Sequence, residues 1–96
     1  MAEKKANEQV FIGNKDISKY LSACFYALGQ NEEITIISRG NNIKRAIDIA
    51  AILIRQYLTN PNYTVKIGSE QFEDRNVSTL EIILKGKRKD VDFKTK

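Results

Sequence analysis

The chain has 96 residues, 42% of them hydrophobic, which is enough for one compact core and too little for two. Its formal charge of +4, sixteen Lys and Arg against twelve Asp and Glu, permits a polyanionic partner without requiring one. Histidine is absent and Cys24 is the single cysteine, so zinc sites, histidine-based catalysis and an intrachain disulfide are excluded, and neither enzyme activity nor a metal or cofactor is expected.

In chain order, Val10-Phe11-Ile12 is a short apolar run closed by Gly13 and reads as a strand, after which Asn14 or Asp16 can cap a helix starting at Ile17. Ile17, Tyr20, Leu21, Cys24, Ala27 and Leu28 recur at helical spacing, and Gly29 supplies the stop. Glu33 to Arg39 carries Ile34, Ile36 and Ile37 among β-branched neighbours, the pattern of a mostly buried second strand. A second helix is expected from Ile43 to Leu58, with Ile43, Ala46, Ile47, Ala50, Leu53, Ile54 and Tyr57 on one broad apolar face. Ile49 and Ile52 fall toward the polar side, which reads as a partner surface, and Asn60-Pro61-Asn62 is expected to end the helix. Tyr63 to Ile67 and Ser78 to Leu84 alternate as strands should, with Glu73-Asp74-Arg75-Asn76 as the turn of a hairpin.

The order β-α-β-α-β-β predicts an α/β two-layer sandwich, a four-stranded mixed sheet with two helices on one face. Residues 10–85 form the single domain, flanked by a flexible N-terminal arm (1–9) and a basic C-terminal tail (86–96). Around and within that tail Lys85, Lys87, Arg88, Lys89, Lys94 and Lys96 outnumber Asp90 and Asp92. No apolar run is long enough to span a bilayer and residues 1–9 lack the apolar segment of a signal peptide, so a soluble cytoplasmic protein with no membrane partner is expected.

The junction from Ser38 to Ala46 carries the functional signal. It brings the Arg39 guanidinium, the pliable backbone of Gly40, Asn41 and Asn42, and a helix N-terminus to one edge, where phosphate is the fitting guest. Lys44 and Arg45 in the first helical turn oppose the helix dipole, an unfavourable placement that a bound anion relieves. Lys15 and Lys19 share this edge, while Arg75 in the hairpin turn is as consistent with a solvated charge as with a contact. Such residues neutralise phosphates and release counterions, and no helix displays Asn, Gln or Arg for a major groove, so base-specific readout is not indicated. Phe11, Tyr20, Cys24 and Phe25 read as core, and Gly40 belongs to no G-x-x-x-x-G-K-[ST] loop, which removes nucleotide hydrolysis.

Four strings occur in order and at matching spacing: Val10-Phe11-Ile12-Gly13-Asn14-Lys15, Ile37-Ser38-Arg39-Gly40 with Ile43-Lys44-Arg45-Ala46-Ile47-Asp48, Ile67-Gly68-Ser69, and Val77-Ser78-Thr79-Leu80-Glu81-Ile82. Together they resemble the Alba family of small archaeal chromatin proteins, which also has eukaryotic relatives acting on RNA. The resemblance implies a homodimer lying across double-stranded DNA, with the loops after the first two strands on the phosphates and two hairpin arms toward the minor groove. It further implies dimer-dimer association on DNA and a place on the chromosome, in the nucleoid. Lys15 matches the second lysine of the family's lysine pair, Arg39 the arginine before the glycine, and Tyr57 an aromatic position where dimers meet, with Ile52 beside it.

The chain departs from the family pattern at three places. Asn14 replaces the first lysine of the pair, so acetylation, with an acetyltransferase or deacetylase as partner, would have to act at Lys15 or Lys19. Asn41 stands where a second arginine often follows the glycine, and the hairpin tip is shorter and more acidic. The implied function is an architectural protein that binds double-stranded DNA without marked sequence specificity, compacts the archaeal chromosome and also binds RNA. The alternatives are a ribonucleoprotein component using the same edge, and an assembly module without a nucleic-acid role.

Overall fold

In the computed structural model, which describes residues 5–89, β1 (Lys5–Phe11) leads through a loop to α1 (Ile17–Gln30) and directly into β2 (Asn31–Arg39). A 3-10 turn (Gly40–Asn42) opens α2 (Ile43–Ile52), which continues as a π-helical turn (Leu53–Tyr57) before β3 (Leu58–Phe72) and β4 (Arg75–Arg88). The sheet order is β1-β2-β4-β3, with β1 parallel to β2 and the other neighbours antiparallel. This is the mixed four-stranded sheet with two helices that the element order predicts.

The core lies between the helices and one face of the sheet. Ile34 and Ile36 of β2 stand beside Leu84 and Ile82 of β4, and Cys24, Leu28, Ile49 and Leu53 of the two helices close over them. At the α1–β2 joint the buried Asn31 Nδ2 donates to the Ala27 carbonyl and to Glu8 Oε1, both at 2.8 Å, while its Oδ1 has no partner. Asn31 rather than Gly29 therefore ends α1, which continues through the glycine. A Cβ at Gly29 would stand 2.5 Å from Cζ of Arg88, so the exposed guanidinium that lies 4.8 Å over the Phe25 ring would have to shift. Asp16 occupies the N-cap position, yet its carbonyl rather than its carboxylate receives the first-turn amides of Lys19 (3.0 Å) and Tyr20 (3.4 Å).

Three further expectations are corrected. Ile49 is fully buried, while Ile47, assigned to the apolar face, is 49% exposed. The buried stripe is Ala46, Ile49 and Ala50 of α2, continued by Leu53 of the π-helical turn, rotated from the expected one because α2 packs on β2 and β4 and leaves its Ile47 flank over β3 uncovered. Phe11 is 63% exposed, since it pairs with Ile37 on the sheet face that carries no helix. Asn60-Pro61-Asn62 does not end a helix that already stops at Tyr57; it forms a register shift inside β3, with Asn60 at φ 53°. A proline without an amide hydrogen is tolerated there because β3 is an edge strand.

Both hairpin strands run further than their alternation shows. Pairing of β2 with β4 ends at Arg39 and Thr79, and beyond that row β3 and β4 pair only with each other, forming an arm that draws the molecule out to 47 Å. Only Glu73 and Asp74 turn the arm, with Glu73 at φ 55°, so Arg75 and Asn76 belong to β4. Paired strands also enter both expected flanks, since β1 begins at Lys5 and β4 ends at Arg88. The remainder of those flanks, residues 1–4 and 90–96 with Lys94 and Lys96, lies outside the described residues.

Truncating Ile49 to alanine should cost about 2–5 kcal/mol of stability in urea unfolding, because the cavity opens beneath α2. A loss within ~0.5 kcal/mol, the range of an exposed site, would return Ile49 to the surface.

Candidate nucleic-acid interface

Strands β1 and β2 are parallel, so the loops that follow them emerge at the same edge, where both helices begin. The first loop is fixed from within: the backbone amides of Gly13 (2.8 Å) and Lys15 (3.2 Å) donate to the hydroxyl of Tyr20, a residue only 9% exposed. Tyr20 is thus both core and the clamp that presents Lys15, a role for which helical spacing gives no signal. Arg45 Nη1 donates to the Lys15 carbonyl at 3.3 Å, which ties the second loop's helix to the first loop.

Gly40 has φ 58°, a backbone value that glycine adopts freely, and it turns β2 into α2. Asn41 then lines two clefts. One, of about 270 Å³, has Lys44, Arg45, Asp48 and Ile17 around it. The other, of about 590 Å³, is bounded by Gly40, Asn41 and Ile43 on the body and by Arg75, Asn76 and Ser78 along the β4 strand of the arm. Arg75 is therefore brought to the body loops, and Asn76 and Ser78 join a site in which sequence reading did not place them. Asn42 precedes the first turn of α2 without a side-chain capping bond, and Lys19 is exposed in the first turn of α1.

The cations differ in what they face. Lys44 Nζ is 3.1 Å from Asp48 one helical turn on, and Arg39 turns away from the loop toward the arm, 3.6 Å from Glu70. Among the described residues Lys15, Lys19, Arg45 and Arg75 form no ion pair. The first turn of α2 holds no acid, so its amides and these cations present one electropositive edge.

A second surface is apolar. Ile47 and Ala51 of α2 and Ile54 of the π-helical turn face Tyr63, Val65 and Ile67 of β3 across a groove of about 390 Å³, and Ile67 is 81% exposed. The patch sought at Ile49 and Ile52 thus lies on the other flank of α2, while Ile52 itself is half-buried on the side of Arg45 and Asp48. Tyr57 packs edge-on against Phe25 with ring centroids 5.7 Å apart. Cys24 is buried, and desolvation, with the Glu8 charge adding, pushes its thiol up to about 12, so no reactive thiolate forms at neutral pH. Among the described residues no three His, Cys, Asp or Glu side chains gather as a metal site, and no helix is long and apolar enough to cross a membrane.

The sheet order, the helices on one face, the basic loop edge and the projecting arm define a small α/β protein built to present cations from one end. The family model for Alba matches residues 8–68, and the chain belongs to the Alba family. The DNA/RNA-binding protein Alba of Nitrosopumilus maritimus is 37% identical over 89 residues, covering 84% of this chain and 93% of that protein. The DNA/RNA-binding protein Alba 1 of Archaeoglobus fulgidus is 35% identical over 85 residues, covering 82% and 96%. Among solved structures, Alba from Thermoplasma volcanium superposes with a TM-score of 0.66 at 28% identity, over 80% of this chain and 98% of that one. ALBA1 from Trypanosoma brucei gives 0.71 at 15% identity over 81% and 68%, a likeness of fold alone.

Replacing Tyr20 with phenylalanine removes the acceptor shared by the Gly13 and Lys15 amides. Stability should fall by about 1–2 kcal/mol, and hydrogen exchange at those two amides should speed up more than at the α1 core. Unaltered exchange there would mean that the hydroxyl does not hold the loop.

Proposed function

We propose that the protein is an architectural nucleic-acid-binding protein that grips phosphates along the loop edge, binds double-stranded DNA without marked sequence specificity, also binds RNA, and acts on the chromosome in the cytoplasm. The observation that supports this reading is the Arg45–Lys15 bond, which ties the first turn of α2, free of acids, to the loop that carries Lys15. The relatives named DNA/RNA-binding proteins support the same polyanionic partner. The edge is made of cations and backbone amides, which suits phosphate positioning rather than base readout.

The apolar groove supports a homodimer. Tyr63, Val65 and Ile67 are 54%, 48% and 81% exposed, and on an edge strand such a stripe is an aggregation hazard unless a partner covers it. Ile52 and Tyr57, away from that groove, remain the residues proposed for dimer-dimer association on DNA. Lys15, exposed at the loop, is the lysine proposed for acetylation.

Salt titrations with duplex DNA, structured RNA and single strands test the first claim. Lys15→Ala and Arg45→Ala should each weaken binding and flatten the log-log salt slope by about 0.9 per lost duplex phosphate contact. Salt-independent binding, or unchanged affinity in both variants, would point instead to the assembly-module reading. A structured RNA preferred at every salt concentration would favour the ribonucleoprotein role, to which the acidic tip and Asn41 lend some weight.

For the dimer, Ile67→Asp should sediment as a folded monomer where the parent chain sediments as a dimer. Tyr57→Ala should leave the dimer intact and lessen association between dimers on DNA. A parent chain that sediments as a monomer at high concentration would remove the groove from this role.

A further inference from the structure

Arg39 leaves β2 in register with Thr79 of β4, and Thr79 in turn pairs with Gly68 of β3. Side-chain alternation puts Glu70 and Phe72 on the same face of the arm as Gly68. The guanidinium reaches both: its Nη1 is 3.6 Å from Glu70 Oε1, and its Cζ lies 5.4 Å from the centroid of the Phe72 ring. Neither cleft of the basic edge is lined by Arg39. The cation that the sequence marks first for phosphate is engaged by a carboxylate of the arm.

We propose that Glu70 is an internal competitor for the nucleic acid: its carboxylate occupies Arg39 in the free protein, and a phosphate must displace it before Arg39 adds to binding. This inference rests on the nucleic-acid-binding reading above. Carboxylate and phosphate draw on the same N–H donors of a guanidinium, so the two occupancies exclude each other at the contacted edge. The pair can be exchanged because its side chains are 51% and 50% exposed, where an ion pair is weak and screened. A buried pair would have removed Arg39 from use.

Phe72 has a different part. An aromatic ring engages the flat face of a guanidinium and leaves the N–H edge to an anion, so the ring can keep Arg39 against the arm after Glu70 lets go. Arg39 then links the body, the arm and the bound strand. The exchange also leaves a mark in salt dependence. The counterion released comes from the phosphate that Arg39 neutralises, but the Glu70 carboxylate set free beside the strand draws a cation back, so the exchange releases fewer ions than contact by an unpaired cation. The salt slope of the parent chain is therefore lower than its cations alone predict.

Glu70→Gln keeps the shape of the side chain and removes its charge. Compared with the parent chain in duplex-DNA and structured-RNA titrations, it should bind severalfold more tightly at low salt and show a slope steeper by up to about 0.9. In an Arg39→Ala background the same change should yield much less of that gain. An equal gain with and without Arg39 would reduce Glu70 to a general repulsive charge and overturn the proposal. So would no gain in a protein that otherwise binds salt-sensitively, and that outcome leaves the wider function intact. A parent chain with no salt-sensitive binding removes both. Thermal unfolding of each variant confirms that the folded chain is being compared.

Discussion

The register of β2 against β4 governs the rest of the molecule. Ile34 beside Leu84, Ile36 beside Ile82 and Ser38 beside Leu80 place one parity of both central strands beneath the helices. A slip of one residue in either strand would turn its apolar set to the open face and bring Glu33 and Thr35, or Glu81 and Ile83, under the helices. The same register decides where the four-stranded body stops. Its last row holds Arg39 and Thr79, so the arm begins where the basic edge begins, and the cleft between them follows from strand length alone.

Much of this was legible in the sequence, because element type depends on local period. The two helices, the four strands and the basic turn after Arg39 all follow from spacing and turn chemistry. The orientation of α2 does not. Its apolar residues almost surround it, with Ile43, Ala46, Ile47, Ile49, Ala50, Ile52, Leu53 and Ile54 all available, so spacing cannot choose the stripe that meets the sheet. The end of the covered sheet makes that choice, burying Ile49 and leaving Ile47 over β3. Gly29 and Asn60-Pro61-Asn62 were recognisable as special, but the partners that explain them, Arg88 and the β4 register, are remote in sequence.

Charge was legible as a total and illegible as availability. Sequence places Arg39, Lys44, Arg45 and Lys15 together, whereas the fold sets acids against two of them and none against the other two. Asp48 reaches Lys44 within a single helix, at a spacing that a reader can find. Glu70 reaches Arg39 only because the arm folds back in register over β4. Asn14 and Asn41 bring no charge to this edge, so Lys15 and Arg45, which form no ion pair among the described residues, supply much of its positive charge, and the bond from Arg45 to the Lys15 carbonyl holds them together.

Strand β3 serves two surfaces by parity, and its irregularity makes that possible. Leu58 pairs with Arg88 on the helix side of the sheet and is 2% exposed. Past the register shift between Thr59 and Asn62, Tyr63, Val65 and Ile67 pair with Leu84, Ile82 and Leu80, so odd rather than even residues now face the helix side. Without that extra residue the three apolar side chains would lie on the open face, and Lys66 would point into the groove beside α2. With it, Lys66, Gly68, Glu70 and Phe72 share the open face with Arg39. A chain docked in the groove would cover odd positions and leave the even positions of the arm open. The surfaces proposed for assembly and for phosphate then lie on opposite faces of one strand, separated by the step that Asn60 and Pro61 build into it.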